Sequence, residues 1–258
     1  VDNIPITGCP RPILPTLSKA FSPTTIAENG ASTLTFTFAN PNASALTGVG
    51  FSDTLPTGLV INTPNGWSTS CSSGTFTGYS PSAVAGTTSF SVSGGTLSAN
   101  AVCTASISVK GVSAGSYTNV SGSITSAETG PNTTSTGYGT ASLTVVAPPS
   151  ILKAFGTSAI NLDGVNLTTL SFAISNPNLG TTLTGVAFTD SLPSGLVVDT
   201  YPTGSVCGGT VTVTAGSDTI ELSGASLAAG GSCNFSINVR GTATGLKENV
   251  VTVTSTNG

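Results

Sequence analysis

A set of motifs in the first half of this chain returns, in the same order, in the second. LSKAF at 17–21, NPNASALTGVGFSDTLPTGLV at 40–60 and SYTNVSGSITS at 116–126 are answered by ILKAF at 151–155, NPNLGTTLTGVAFTDSLPSGLV at 176–197 and LKENVVTVTS at 246–255. Duplication on this scale requires each copy to close a hydrophobic core of its own. A chain of 258 residues is long enough for two such cores of ordinary domain size.

Within each copy, apolar and polar residues alternate with period two. STLTFTF (32–38), TSFSVSG (88–94), TASISVKGV (104–112) and TASLTVV (140–146) read as strands in the first half. TLSFAIS (169–175), GTVTVTA (209–215), DTIELSG (218–224), NFSINVRG (234–241) and ENVVTVTS (248–255) do so in the second. Turn signals punctuate them: ENG at 28–30, LPTG at 55–58, LDG at 162–164 and LPSG at 192–195. No window carries a helical stripe. The expected fold is all-β, with two tandem immunoglobulin-like β-sandwich domains. The expected boundaries are an N-terminal extension at 1–16, repeat 1 at 17–146, a proline-rich hinge APPS at 147–150 and repeat 2 at 151–258.

The copies differ at their ends. Repeat 1 runs on into TASLTVV, whereas repeat 2 stops at Gly258, where that last strand would begin. The extension starts with VDNIPIT (1–7), followed by CPRPILP (9–15), which resembles the hinge in position. Two explanations stand. Either the chain is a slice of a longer array, with 1–7 the last strand of a preceding repeat, or residues 1–7 of one subunit fill the vacant edge of the next, a donor-strand joint. The chain opens at Val1 without a methionine, as an excised or processed piece would, and shows no signal peptide.

Only 6% of the residues are charged, against about a quarter in a typical soluble protein. Serine, threonine, glycine and asparagine supply the polarity instead, a surface of neutral groups common in secreted filaments and adhesins. Six basic residues scattered through a chain of net charge −4 cannot track a phosphate backbone, so nucleic acid is excluded as a partner. No stretch approaches the ~20 apolar residues of a spanning helix. Histidine is absent, which excludes Ser-His-Asp and Cys-His catalysis. No phosphate loop, dinucleotide fingerprint or calcium loop is present, so no cofactor or metal is expected, and the protein does not read as an enzyme.

Cys71 and Cys103 in the first copy match Cys207 and Cys233 in the second. Matched pairs without CxxC or histidine predict one disulfide per domain and an oxidising, extracellular setting; four buried thiols are the plain alternative. Cys9 is left over and either stays free or pairs with another chain. Trp67, beside Cys71 in NGWSTSC, is expected to pack on that disulfide rather than to face a ligand. Asn42, Asn132, Asn166 and Asn234 fall in N-x-[ST] sequons, which arise easily in a threonine-rich chain.

Lys19 in LSKAF and Lys153 in ILKAF occupy matched points of the first strands, between apolar residues. Asp53 in FSDTLP and Asp190 in FTDSLP follow, and then Asn119 and Asn249 at the expected start of the late strands. A lysine amine deprived of hydration is a neutral nucleophile. It can attack an asparagine side-chain carbonyl while a carboxyl group polarises that carbonyl and shuttles the proton, with ammonia leaving. The product is an isopeptide crosslink between the first strand and a late one. Each residue alone also has a plain reading: aspartates and asparagines as turn residues, and lysines reaching out from a strand edge. Lys110 and Lys247 have no matched partners and read as ordinary solvated side chains.

The series K-A-F, N-P-N, T-G-V-x-F-[ST]-D-[ST]-L-P-x-G-L and a late asparagine resembles the bacterial surface-protein repeat family called domain of unknown function eleven, over nearly the whole chain. That resemblance implies immunoglobulin-type modules strung along large exported proteins. Similar lysine–aspartate–asparagine triads form isopeptides in bacterial pilins and adhesins. Carried over, this implicates Lys19, Asp53 and Asn119, then Lys153, Asp190 and Asn249. The paired cysteines depart from crosslinked pilins, which usually lack disulfides. The expected function is a stalk segment or filament subunit of an extracellular bacterial fibre, a homopolymer of head-to-tail modules. The alternative is an adhesin module that binds a host or matrix ligand through its loops.

Overall fold

A computed structural model describes residues 11–71, 74–162, 165–202 and 204–258. The extension 1–7, Cys9 and part of the LDG turn lie outside these. Among the described residues the chain is all-β, and no helix long and apolar enough to cross a membrane is found there. It divides into two compact units, Val1–Val145 and Val146–Gly258.

In the first unit, one antiparallel sheet runs in the order Thr16–Ser22, Ala31–Ala39, Val102–Gly111, Leu59–Ile61. A second is built on Leu46–Thr54 paired with Ser89–Leu97. The alternation in STLTFTF sends Leu34, Phe36 and Phe38 inward. From the other sheet Phe51 and Phe90 meet Phe36, each with ring centres 5.2 Å away. This aromatic contact between two sheets is the centre of a sandwich. Trp67 lies against Phe90 and Tyr79, at 5.5 and 6.3 Å between ring centres, so it contributes to the core margin rather than to an exposed binding face.

A third, three-stranded sheet closes the first unit: Gly115–Val120, Thr140–Val146, Thr25–Ala27. Its middle strand pairs with Gly115–Val120 from Gly115↔Val145 to Val120↔Thr140. On its other side the Thr144 amide donates to the Thr24 carbonyl at 2.9 Å. Leu143 and Val145 point into the core.

The second unit repeats the first two sheets. Ser150–Phe155, Leu167–Ser175, Ser232–Gly241 and Leu196–Thr200 form one, and Leu183–Ser191 with Thr219–Leu227, Gly209–Val213 and Ser205–Val206 the other. Phe172, Phe188 and Phe235 stack between them. The third sheet is not repeated among the described residues. The predicted strand 248–255 makes only the isolated bridge Ala187↔Thr254. Alternation defines the two faces of a strand but supplies no ladder partner.

Candidate crosslinking site

Period two places the lysines. Along Thr16–Ser22 the residues Leu17, Lys19 and Phe21 are buried while their neighbours are not, so Lys19 points into the sandwich between two hydrophobic side chains. The aspartates need an extra device. Leu46 and Asp53 both point inward, although they are an odd number of residues apart and strict alternation would place them on opposite faces. A β-bulge at Thr47–Gly48 corrects the parity, with register shifts between Leu46, Val49 and Phe51 against the partner strand. Gly48 makes this possible at φ 59°, a conformation that costs an ordinary residue energy. The second copy does the same: Gly185 has φ 60°, and Leu183, Val186, Phe188 and Asp190 are all buried. The T-G-V-x-F-[ST]-D motif is therefore a machine for turning an aspartate inward.

The three predicted groups meet in each unit. Lys19 Nζ donates to Asp53 Oδ1 at 3.1 Å and to Oδ2 at 3.0 Å. Asn119 Nδ2 donates to the same Asp53 Oδ2 at 2.8 Å. The Lys19 and Asp53 side chains are 0% and 1% exposed, and Asn119 is equally enclosed. In the second unit Lys153 Nζ reaches Asp190 Oδ1 and Oδ2 at 2.9 and 3.1 Å, and Asn249 Nδ2 reaches Asp190 Oδ2 at 3.0 Å. Asn119 lies near the end of its strand, not at the start as the sequence suggests, and Asn249 lies in no assigned strand.

Burial holds the Lys19 ammonium below the ordinary lysine value, and the charge and hydrogen bonds of Asp53 offset this only in part. Moving one proton from the ammonium to the carboxylate would replace a desolvated ion pair with two neutral groups, a free amine and a carboxylic acid. Asn119 Oδ1 is buried and, among the described residues, has no hydrogen-bond partner. An orphaned carbonyl of this kind costs about 1–3 kcal/mol. A half-turn of the amide would bring Oδ1, in place of Nδ2, to the Asp53 carboxyl group.

In repeat 1 a later stretch of chain roofs the lysine. Gly139 lies directly over Lys19: a Cβ placed on it would come within 2.8 Å of Lys19 Cγ. Asn132 Nδ2 ties the same stretch to the Pro15 carbonyl at 2.7 Å, and the Leu17 amide donates to the Thr136 carbonyl at 2.8 Å. The corresponding lysine, Lys153, keeps 9% of its side chain exposed. Lys247, expected to be merely solvated, donates to the Ser194 carbonyl at 2.7 Å and the Thr244 carbonyl at 3.3 Å.

Both cysteine pairs are joined, Cys71 to Cys103 and Cys207 to Cys233, with Cα atoms 5.0 and 5.7 Å apart. The NPN motifs have a role that the sequence does not announce. Asn40 Nδ2 gathers the carbonyls of Ser44, Leu97 and Ser98, and Asn176 gathers those of Thr181, Leu227 and Ala228. The second asparagine of each motif clasps both backbone groups of one residue in the incoming chain. Asn42 holds Ile13 at 2.7 and 2.8 Å, and Asn178 holds Ala147 at 2.8 Å on both sides. Asn42 and Asn132, sequon residues by pattern, are buried structural hydrogen-bonders.

Among solved structures, the C-terminal domain of the Streptococcus agalactiae AgI/II polypeptide BspA is similar over 95% of this chain and 96% of that one, at 13% identity and a TM-score of 0.50. A second BspA C-terminal structure matches at 12% identity, with the same coverage and a TM-score of 0.46. The bacterial hydrophobin BslA covers 53% of this chain and 96% of its own, at 18% identity and a TM-score of 0.33. At such identities the likeness to BspA speaks to the fold alone. No curated protein matches in sequence. The resemblance to domain of unknown function eleven stays at the level of the quoted motifs. A family model described as Domain of unknown function (DUF7933) matches twice, over residues 15–145 and 149–258, and the chain belongs to that family.

Proposed function

We propose that this chain is a load-bearing segment of an extracellular bacterial fibre or stalk, in which each repeat closes a Lys–Asn isopeptide across its sandwich. The observation that carries this is the recurrence of one hydrogen-bonded Lys–Asp–Asn set in both units, fully buried as Lys19–Asp53–Asn119 and partly buried as Lys153–Asp190–Asn249. The neutral lysine amine attacks Asn Cγ while the Asp carboxyl group lends its proton to the carbonyl oxygen; the carboxylate then carries a proton from the attacking nitrogen to the departing one, recovers its own as the carbonyl re-forms, and one ammonia leaves per bond. The aspartate is regenerated, and the turnover is single.

Such a bond ties the first strand of repeat 1, Thr16–Ser22, to the late strand Gly115–Val120. Tension entering and leaving the repeat then bypasses the sandwich between them. The disulfides support an oxidising location outside the cell. The large aromatic side chains Phe36, Phe51, Phe90 and Phe172 are used in the cores, which leaves little for an adhesive loop surface. The repeats work joined head to tail with modules of the same kind. Single-molecule pulling through the chain ends tests this. The proposal requires residues 20–118 to stay locked at forces that unfold an Asp53→Asn chain. Release of that whole segment from the unaltered protein would contradict it.

A further inference from the structure

In each repeat, the stretch of chain that follows the reactive asparagine turns back along the strand that carries the reactive aspartate. Beyond Asn119 the Gly122 amide donates to the Ser52 carbonyl at 2.8 Å, Thr125 pairs with Gly50, and the Ala127 amide donates to the Thr47 carbonyl at 2.8 Å. Gly122 permits the close approach, since a Cβ there would lie 3.0 Å from Ser52 Oγ. The path ends at the bulge, where the ladder to Ser89–Leu97 skips Thr47. Glu128 takes up the backbone donor: the Thr47 amide donates to Glu128 Oε1 and Oε2 at 3.0 and 2.9 Å, and the Thr47 hydroxyl donates to Oε1 at 2.5 Å. In repeat 2, Thr254 and Ala187 exchange backbone hydrogen bonds at 2.9 and 3.0 Å, and the Thr256 amide reaches the Thr184 carbonyl at 2.9 Å. There the latch is an amide: the Thr184 amide donates to Asn257 Oδ1 at 3.1 Å, and Asn257 Nδ2 donates to the Thr182 carbonyl at 2.9 Å.

We infer that Glu128 and Asn257 are positioning residues of the two crosslinking sites, which set the register at which Asn119 and Asn249 meet their aspartates. The inference rests on the crosslink reading and adds to it two residues that touch none of the reacting atoms. Glu128 lies nine residues beyond Asn119, and Asn257 eight beyond Asn249. Although the two paths differ by one residue, both end on the amide of the threonine before the bulge glycine. Both begin with an asparagine Nδ2 on an aspartate Oδ2. The fold thus holds the two ends of the path and lets the length between them vary. A slip of one residue along the aspartate strand would turn the asparagine to the other face. A latch on the bulge opposes that slip, because a bulge is an irregular point of the strand with no equivalent one residue away. The carboxylate of one repeat and the amide of the other share an acceptor oxygen aimed at the threonine amide, and that oxygen is the feature the role needs.

The test starts from the full chain purified in denaturant and folded by dilution, with each branched peptide quantified over time by peptide mapping. Glu128 is exposed, so water replaces it in part, and Glu128→Ala should slow Lys19–Asn119 joining by about two- to tenfold. Lys153–Asn249 should keep its own rate in that variant. Glu128→Gln, which retains an acceptor oxygen at the same reach, should restore the rate, and Asn257→Ala should slow repeat 2 alone. An unaltered Lys19–Asn119 rate in Glu128→Ala, equal slowing of both repeats, or a Glu128→Gln chain as slow as Glu128→Ala would each overturn the assignment. Hydrogen exchange on the Asp53→Asn chain, where repeat 1 forms no bond, judges the latch apart from the chemistry. Adding Glu128→Ala there should speed exchange of the Gly122 and Ala127 amides, and unchanged exchange would overturn the latch. Absence of both branched peptides from the unaltered chain would overturn the crosslink itself, whatever the exchange shows.

Discussion

At the scale of single residues, the site turns on a lysine that the fold deprives of water. Lys19 was legible in the sequence because it interrupts an apolar alternation and does so again at Lys153. Its roof was not legible. Gly139 and Asn132 reach Lys19 and Pro15 from more than a hundred residues away, and a glycine that approaches a side chain looks like any other glycine. The roles of Asn42 and Asn178 were hidden for a related reason: their partners are backbone groups of Ile13 and Ala147, which carry no signature. Burial of Lys19 has a consequence that can be measured when the crosslink is blocked. In an Asn119→Ala chain, folded Lys19 gives up its proton below the ordinary value of 10.5, while the unfolded lysine keeps its proton up to that value. Between the two values unfolding takes up a proton, so stability through this residue rises with pH; below the lowered value the dependence vanishes. Urea unfolding across the alkaline range should show a more positive slope for Asn119→Ala than for Lys19→Met/Asn119→Ala. Equal slopes would contradict the burial argument.

At the scale of elements, the bulge at Gly48 converts a regular strand into one that faces Asp53 inward. The alternating pattern alone would put Leu46 and Asp53 on opposite faces, so sequence periodicity revealed the strand but not the correction. Space is not the constraint, since a Cβ on Gly48 would meet Ala127 at an ordinary 3.6 Å. The backbone is, at φ 59°. Gly48→Val should therefore cost repeat 1 about 1–3 kcal/mol, whereas Gly48→Asn, which tolerates this conformation, should cost less. Denaturant midpoints of the two variants check this, and equal stability would refute it. The late segment of repeat 2 shows the opposite limit: ENVVTVTS has a strand's pattern, yet a strand also needs a neighbour, and among the described residues it makes only the bridge Ala187↔Thr254.

At the scale of the whole molecule, duplication was the most informative feature because it allows each unit to serve as a control for the other. The same strand order, the same bulge and the same three hydrogen-bonded side chains recur at matched positions. A core assembled for packing alone would have little reason to bring a lysine, an aspartate and an asparagine together twice, around an aspartate that is buried both times. The two sets differ in enclosure: the Lys19 side chain is 0% exposed and that of Lys153 9%. The most direct measurement is the intact mass of the reduced protein with peptide mapping. The unaltered chain should lack one ammonia for each closed bond, with a Lys19–Asn119 branched peptide recovered, and Asp53→Asn should restore that ammonia in repeat 1. A reduced mass equal to that of the plain sequence, with Lys19 and Asn119 in separate linear peptides, would contradict the crosslink.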